Sequence, residues 1–202
     1  MSSQQNKTFA SNPGRIQVDR KRLAHYERNF QGCLGVIAKI LFALFRVPGE
    51  VAALEEHAQK GDCNAATVVK LVPLIVAAYS DELDAVALLQ FSNRERGEYE
   101  LEVGTMLVTA NKYFPEVART DADDVTMGPA NHGRWKNFQP VILNFIVSDP
   151  QRLEAICAEI PQSQWQRCLE LGTEKLQQCP QHIRNGSPFL STKARVSKHS
   201  KH

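Results

Sequence analysis

The residues best suited to chemistry are concentrated in "TDADDVTMGPANHGRWKNF", from Thr120 to Phe138. Its front half carries the carboxylates of Asp121, Asp123 and Asp124, and carboxylate oxygens suit Mg²⁺ or Ca²⁺. These aspartates are therefore candidate metal ligands. An EF-hand reading fails, because counting from Asp121 puts Thr126 where the loop needs Gly and His132 where it needs the bidentate Glu. A solvated or capped turn is the better expectation for this half.

The back half holds His132, Arg134 and Trp135 behind a Gly128-Pro129 break. An imidazole titrates near neutrality and so is the natural proton carrier here. A pocket at this point could use Arg134 for an anion, Trp135 as an apolar wall and Asp123 or Asp124 to orient His132. These three residues are the candidate ligand-binding set, with His132 the candidate acid or base. The competing arrangement leaves His132 exposed, pairs Arg134 with a nearby carboxylate and packs Trp135 on the sheet.

Recognised chemical patterns are otherwise absent. There is no G-x-x-x-x-G-K-[ST], no G-x-G-x-x-G, no H-E-x-x-H and no G-x-S-x-G. No cofactor is implied. Cys63 follows Gly61-Asp62, at an expected helix start where the dipole would favour a thiolate. His57 lies nearby in sequence and is expected to face solvent. The cysteines, Cys33, Cys63, Cys157, Cys168 and Cys179, are odd in number and form no C-x-x-C pair. That argues against a disulfide framework or zinc knuckle and points to a reducing, cytoplasmic location. Pro161 interrupts any single helix through the last three, so they read as small core residues.

The elements that must position the loop follow from periodicity and punctuation. Helices are expected over 19–46, 49–60 and 64–79, with Pro48 opening the second, Asn64 capping the third and Pro73 kinking it. Strands are expected over 84–91, 98–103, 105–114 and 138–147. The second of these, in "EYELEV", alternates strictly between glutamate and apolar residues. "SNRERGE" reads as a polar turn. Helices resume over 149–160, behind Asp149-Pro150, and over 163–178, behind a Ser163…Gln166 capping box. Helices, then strands, then helices describe an α+β fold on a mostly antiparallel sheet of about four strands.

Composition bounds the rest. The 202 residues are 43% apolar and 23% charged, enough for one substantial core. Lys7, Arg15, Arg20, Lys21, Arg22 and Arg28 outweigh Asp19 and Glu27 at one end. Arg184, Lys193, Arg195, Lys198 and Lys201 stand without carboxylates at the other, so an acidic body separates two basic ends. The expected organisation is a flexible polar arm at 1–18, a single α+β domain at 19–180 and a basic, disordered tail at 181–202. The apolar run "CLGVIAKILFALF" (33–45) is shorter than the ~20 residues of a membrane span. It reads as a core helix, or alternatively as an interfacial anchor flanked by cations.

Three functions fit this reading. The first is a non-enzymatic interaction or regulatory protein that docks a protein partner, its basic ends available to nucleic acid or an anionic membrane surface. The second is an enzyme acting on a small anionic substrate near His132 and Arg134. The third is a peripheral membrane protein anchored through residues 20–46.

Overall fold

Pro48 and Gly61 bracket the helix α1 (Pro48–Lys60) in the computed structural model, which describes residues 12–23, 48–115 and 124–188. Proline lacks only an N–H that a first helical turn leaves unpaired. Gly61 is required for a different reason: a Cβ there would sit 2.5 Å from the His57 carbonyl oxygen. The chain can therefore pass from α1 straight into β1 (Asp62–Leu71).

From this point the sequence expectation needs correcting. Residues 64–79 form no helix; they are most of β1 and β2 (Leu74–Ser80), joined by a tight turn at Val72-Pro73. The apolar residues that mimic a helical stripe are mostly β-branched, and β2 is buried along its whole length. A strand covered on both faces loses the alternation that normally identifies it. Proline then marks the turn between strands, where its missing N–H costs no ladder bond.

β3 (Ala85–Phe91) appears where a strand is expected. The polar stretch after it is a short helix, α2 (Asn93–Glu98). Residues 98–103 form no strand despite their alternation. Glu100 has φ 48, a left-handed conformation incompatible with a strand, and the segment folds as a turn that buries Leu101. β4 (Met106–Phe114) and β5 (Asn137–Ile142) follow, and the expected strand 138–147 stops early at a 3-10 turn, Leu143–Phe145. Asp149 caps α3 (Pro150–Glu159), accepting a bond from Arg152 N at 2.9 Å, and α4 spans Gln162–Gln178. A last strand, β6 (Ile183–Asn185), lies inside the expected tail.

The strands form one six-stranded sheet in the order β5-β4-β1-β2-β3-β6, antiparallel except for the β3–β6 pair. The mixed α+β architecture is thus present, with more strands than the expected four. Residues directly opposite share a face. Asp62 therefore aligns with Asn111 and Pro140, and Asn64 with Thr109 and Ile142. On the other face α4 packs closely, with Cys168 Sγ 3.4 Å from Ala77 O and Gly172 set against Ala77 and Val69.

The sheet curls strongly towards the face opposite α4. Arg184, on β6, donates to Phe138 O at 2.6 Å and to Asn137 Oδ1 at 2.9 Å, both on β5. The two edge strands are thereby tied together through one side chain, which limits the exposed sheet edge.

Residues 12–18 dock on this body. Asn12 O accepts from Cys63 N at 2.8 Å, Pro13 bridges Asp62, and Ile16 and Val18 are buried. Asp19 then caps a helical turn at 20–23, accepting from Lys21 N and Arg22 N. The remainder of the expected helix 19–46, including the apolar run 33–45, lies outside the described residues. Among the described residues no helix is long and apolar enough to cross a membrane.

His57 is buried, contrary to the solvent-facing expectation, and its Nε2 lies 3.0 Å from Ala110 O. Burial lowers its pKa to about 4, with the neutral ring donating to the carbonyl. The unfolded chain takes up a proton near pH 6.5, where the folded protein does not. His57 therefore contributes fully above pH 6.5, and that contribution is lost as pH falls towards 4. The difference in unfolding free energy between the wild type and His57→Gln should narrow by about 3 kcal/mol across this window. Urea titrations at pH 7 and pH 4.5 check it, and a constant difference would show that His57 takes up its proton equally in the folded and unfolded states.

Candidate functional site

The loop singled out from the sequence is described from Asp124 onward; Asp121 and Asp123 lie outside the described residues. It is fastened over the turn that joins β2 to β3, Asp81 to Asp84. Ser80 Oγ accepts from Leu83 N at 3.2 Å, and Asp84 takes φ 47, which its short polar side chain tolerates better than a branched one would. Backbone bonds then seat the loop: Gly128 N donates to Leu83 O at 3.0 Å and His132 N to Glu82 O at 2.9 Å. Gly128 is required by close approach, since a Cβ would fall 2.1 Å from Asp84 Oδ2.

Three carboxylates beneath or within the loop each meet a guanidinium. Glu82, only 3% exposed, receives Arg134 Nη2 at 2.5 Å and faces His132 Nδ1 at 3.3 Å. Asp84 receives Arg167 in a two-bond fork at 3.0 and 3.1 Å, with Tyr79 OH at 3.1 Å. The Arg167 fork holds the Asp84 carboxyl below the usual carboxylate range. Asp124 is gripped by Arg184, whose Nη2 lies 2.7 Å from Oδ1, while Lys175 Nζ contacts its carbonyl oxygen. Trp135 stacks on Tyr113 with ring centroids 5.9 Å apart and planes 17° apart.

The structure therefore brings His132 and Arg134 together on one buried carboxylate, Glu82, which sequence reasoning did not single out. An imidazole beside a carboxylate is a geometry suited to proton transfer. Arg134 shares that carboxylate from a side chain that is 58% exposed, so its charge is paired at the surface and is less available to a bound anion. Trp135 faces the sheet as a packing group. Asp124 is engaged by two cationic side chains, and among the described residues no cluster of three His, Cys, Asp or Glu side chains could hold a metal ion.

The cysteine expectation also changes. Cys63 lies within β1 rather than at a helix start, and burial with the neighbouring Asp62 charge pushes its thiol up to about 12. Burial raises Cys168 to about 12 as well. Neither is a thiolate at neutral pH, which removes both as activated nucleophiles.

A second polar assembly escaped the sequence reading. Asp62 and Asn64 of β1, Ser80 of β2, and Thr109, Asn111 and Tyr113 of β4 are all buried. They are linked by hydrogen bonds on the curled side of the sheet, and Tyr113 OH connects Asp62 to Asp81 on the β2–β3 turn. Polar residues at every second position of β4, within a buried strand, were the available signal.

Comparison with protein-family models, with curated proteins and with solved structures finds no match.

Proposed function

We propose that the protein is a non-enzymatic interaction module that docks a basic, apolar-faced segment of a partner protein. The observation that carries this reading is a contrast between the two ends of the sheet. At the 81–84 end the groups fit for chemistry are paired internally. At the other end Val72, Val103 and Met106 are 61%, 58% and 52% exposed.

These side chains sit on neighbouring segments. Val72 is at the β1–β2 turn, and Val103 and Met106 lie at the turn leading into β4. That turn is bonded to β1, with Gly104 N donating to Val68 O and Val68 N to Thr105 O. Exposed Glu100 and Glu102 lie directly before Val103 in the chain, and exposed Lys70 lies shortly before Val72 on β1. Apolar groups with carboxylates beside them suit a cationic amphipathic partner, with the charges setting orientation and encounter rate.

The test uses two labelled amphipathic peptides with the same leucine face, one with lysines and one with glutamates on the polar face. The lysine peptide should bind, more weakly at higher salt. Val103→Asp with Met106→Asp should weaken it about tenfold or more, whereas His132→Ala should leave it unchanged. Equal binding of the glutamate peptide, or unaltered binding to the doubly substituted protein, would overturn the reading. Thermal melts confirm that both variants are folded.

A further inference from the structure

Two cations meet a single carboxylate where α4, β6 and the loop converge. Arg184 of β6 grips Asp124 in a fork, its Nη2 lying 2.7 Å from Oδ1 and its Nε against Oδ2. Lys175 of α4 sets its Nζ against the backbone oxygen of the same aspartate. Among the described residues no other carboxylate is bonded to either cation, so the cluster holds one positive charge in excess. That excess is costly, because the Arg184 and Asp124 side chains are only 18% and 16% exposed. Burial lowers the Lys175 pKa, with the Asp124 charge acting in the opposite direction.

Both cations are held by the sheet and not by the loop alone. Lys175 Nζ donates to Val86 O of β3 at 2.8 Å. Arg184 donates from Nη1 to Phe138 O at 2.6 Å and from Nη2 to Asn137 Oδ1 at 2.9 Å, both on β5. These acceptors are neutral. If Asp124 withdrew, Lys175 and Arg184 would keep these bonds and stand in fixed positions without a counter-charge. A guanidinium fork that fits a carboxylate also fits a phosphate, and an ammonium beside it adds a point charge.

Asp124 is the exchangeable member of the cluster. The loop is anchored from Gly128 onward, through Gly128 N to Leu83 O, His132 N to Glu82 O and the Arg134 pair. Among the described residues, 125–127 make no hydrogen bond, and Thr126 and Met127 are exposed. Only Val125 packs inward, against the cluster that contains Tyr113 and Phe138. Rotation within this short stretch can carry Asp124 away while the anchored part stays in place. A monoanion taking its position would leave the charge excess unchanged, whereas a dianion would cancel it.

We propose that Lys175 and Arg184 form a binding site for a phosphate dianion, free or as the end group of a small ester, and that Asp124 is an internal stand-in which the phosphate displaces. The ligand's charge and its several acceptor oxygens are what the two cations lack in the closed arrangement. Its apparent affinity is reduced by the fraction of molecules in which Asp124 holds the site.

The test titrates the full-length protein at low salt and pH 8 with inorganic phosphate, glycerol phosphate or acetate. Binding is read by calorimetry, and displacement by the carboxyl-carbon NMR signal of Asp124. Both phosphates should bind, with acetate at least about tenfold weaker. Saturation should move the Asp124 signal to the position of a hydrated aspartate. Asp124→Asn should bind phosphate about tenfold tighter, since no internal carboxylate competes, and Lys175→Met about tenfold weaker. Tighter binding of glycerol phosphate than of inorganic phosphate assigns the site to an ester, and the reverse assigns it to the free ion. Absence of phosphate binding, acetate binding as tightly as phosphate, or an Asp124 signal unmoved at saturation would each overturn the proposal. So would unchanged affinity in either variant, which would mean an adventitious ion only. The NMR signal, read on the unsubstituted protein, decides the matter if a variant does not fold.

Discussion

An Arg184→Ala protein should melt about 6–12 °C below the wild type, corresponding to a loss of about 3 kcal/mol. The side chain joins the two edges of the sheet, bonding Phe138 O and Asn137 Oδ1 on β5 while pairing with Asp124. Its charged group also lies over the Phe138 ring, 5.7 Å from the centroid. Truncation leaves Asp124, whose side chain is 16% exposed, without its main counter-charge. The cost of an orphaned charge dominates over the lost hydrogen bonds, because each neutral bond contributes only about 1 kcal/mol net. Partial access to water keeps the figure towards the lower end of that range.

Asp124→Asn added to Arg184→Ala should recover about 1–2 kcal/mol, since no unpaired anion then remains. Arg184→Lys should fall between, retaining charge but not the planar fork that serves three acceptors. Differential scanning calorimetry of the four proteins checks the set. If the double variant is no more stable than Arg184→Ala, the loss comes from β5–β6 packing and not from the stranded carboxylate.

Gly172→Leu should be comparably disruptive, costing about 3 kcal/mol in chemical denaturation. Glycine within a helix normally weakens it, so its removal would be expected to help by about 1 kcal/mol. Here contact overrides propensity. A Cβ at 172 would lie 2.4 Å from Ala77 Cβ and 3.0 Å from Val69 Cγ1. Both neighbours belong to strands, so neither can swing aside, and α4 must lift from the sheet. Gly172→Ala, with one methyl group, should lose about 1 kcal/mol as overpacking exceeds the gain in helix propensity. An alanine variant more stable than the wild type would show that α4 can shift without cost.

Local signals made several elements legible. Pro48 and Gly61 delimit α1, and Asp149-Pro150 opens α3 within one residue of the expected position. The same holds for α4, whose spacing of Trp165, Cys168 and Gly172 places these residues on its buried side. Amphipathic elements with one wet face display their period openly. Residues 64–79 do not, because β1 and β2 have α4 on one face and the curl of the sheet on the other. The opposite error arose at 98–103, where alternation was real but Glu100 adopts a left-handed turn that no strand could contain.

The candidate site divides along similar lines. Its chemistry-bearing types, His132, Arg134 and Trp135, were visible because they crowd one short loop. Their partners were not, since Glu82 lies 50 residues from His132 and meets it only when the β2–β3 turn slides beneath the loop. Asp124 and Arg184 are separated by 60 residues and joined by the closing of the sheet.

The sequence by itself determined the helices at either side of a strand-rich middle, the separation of charge between body and ends, and the loop where polar types concentrate. These depend on spacing and caps within a few residues. The tertiary structure alone decided the number and order of strands, the burial of Asp62 and Asn64, and the internal pairing of the loop's cations. Those outcomes depend on which distant carboxylate approaches which cation, and on how far the sheet curls before its edges meet.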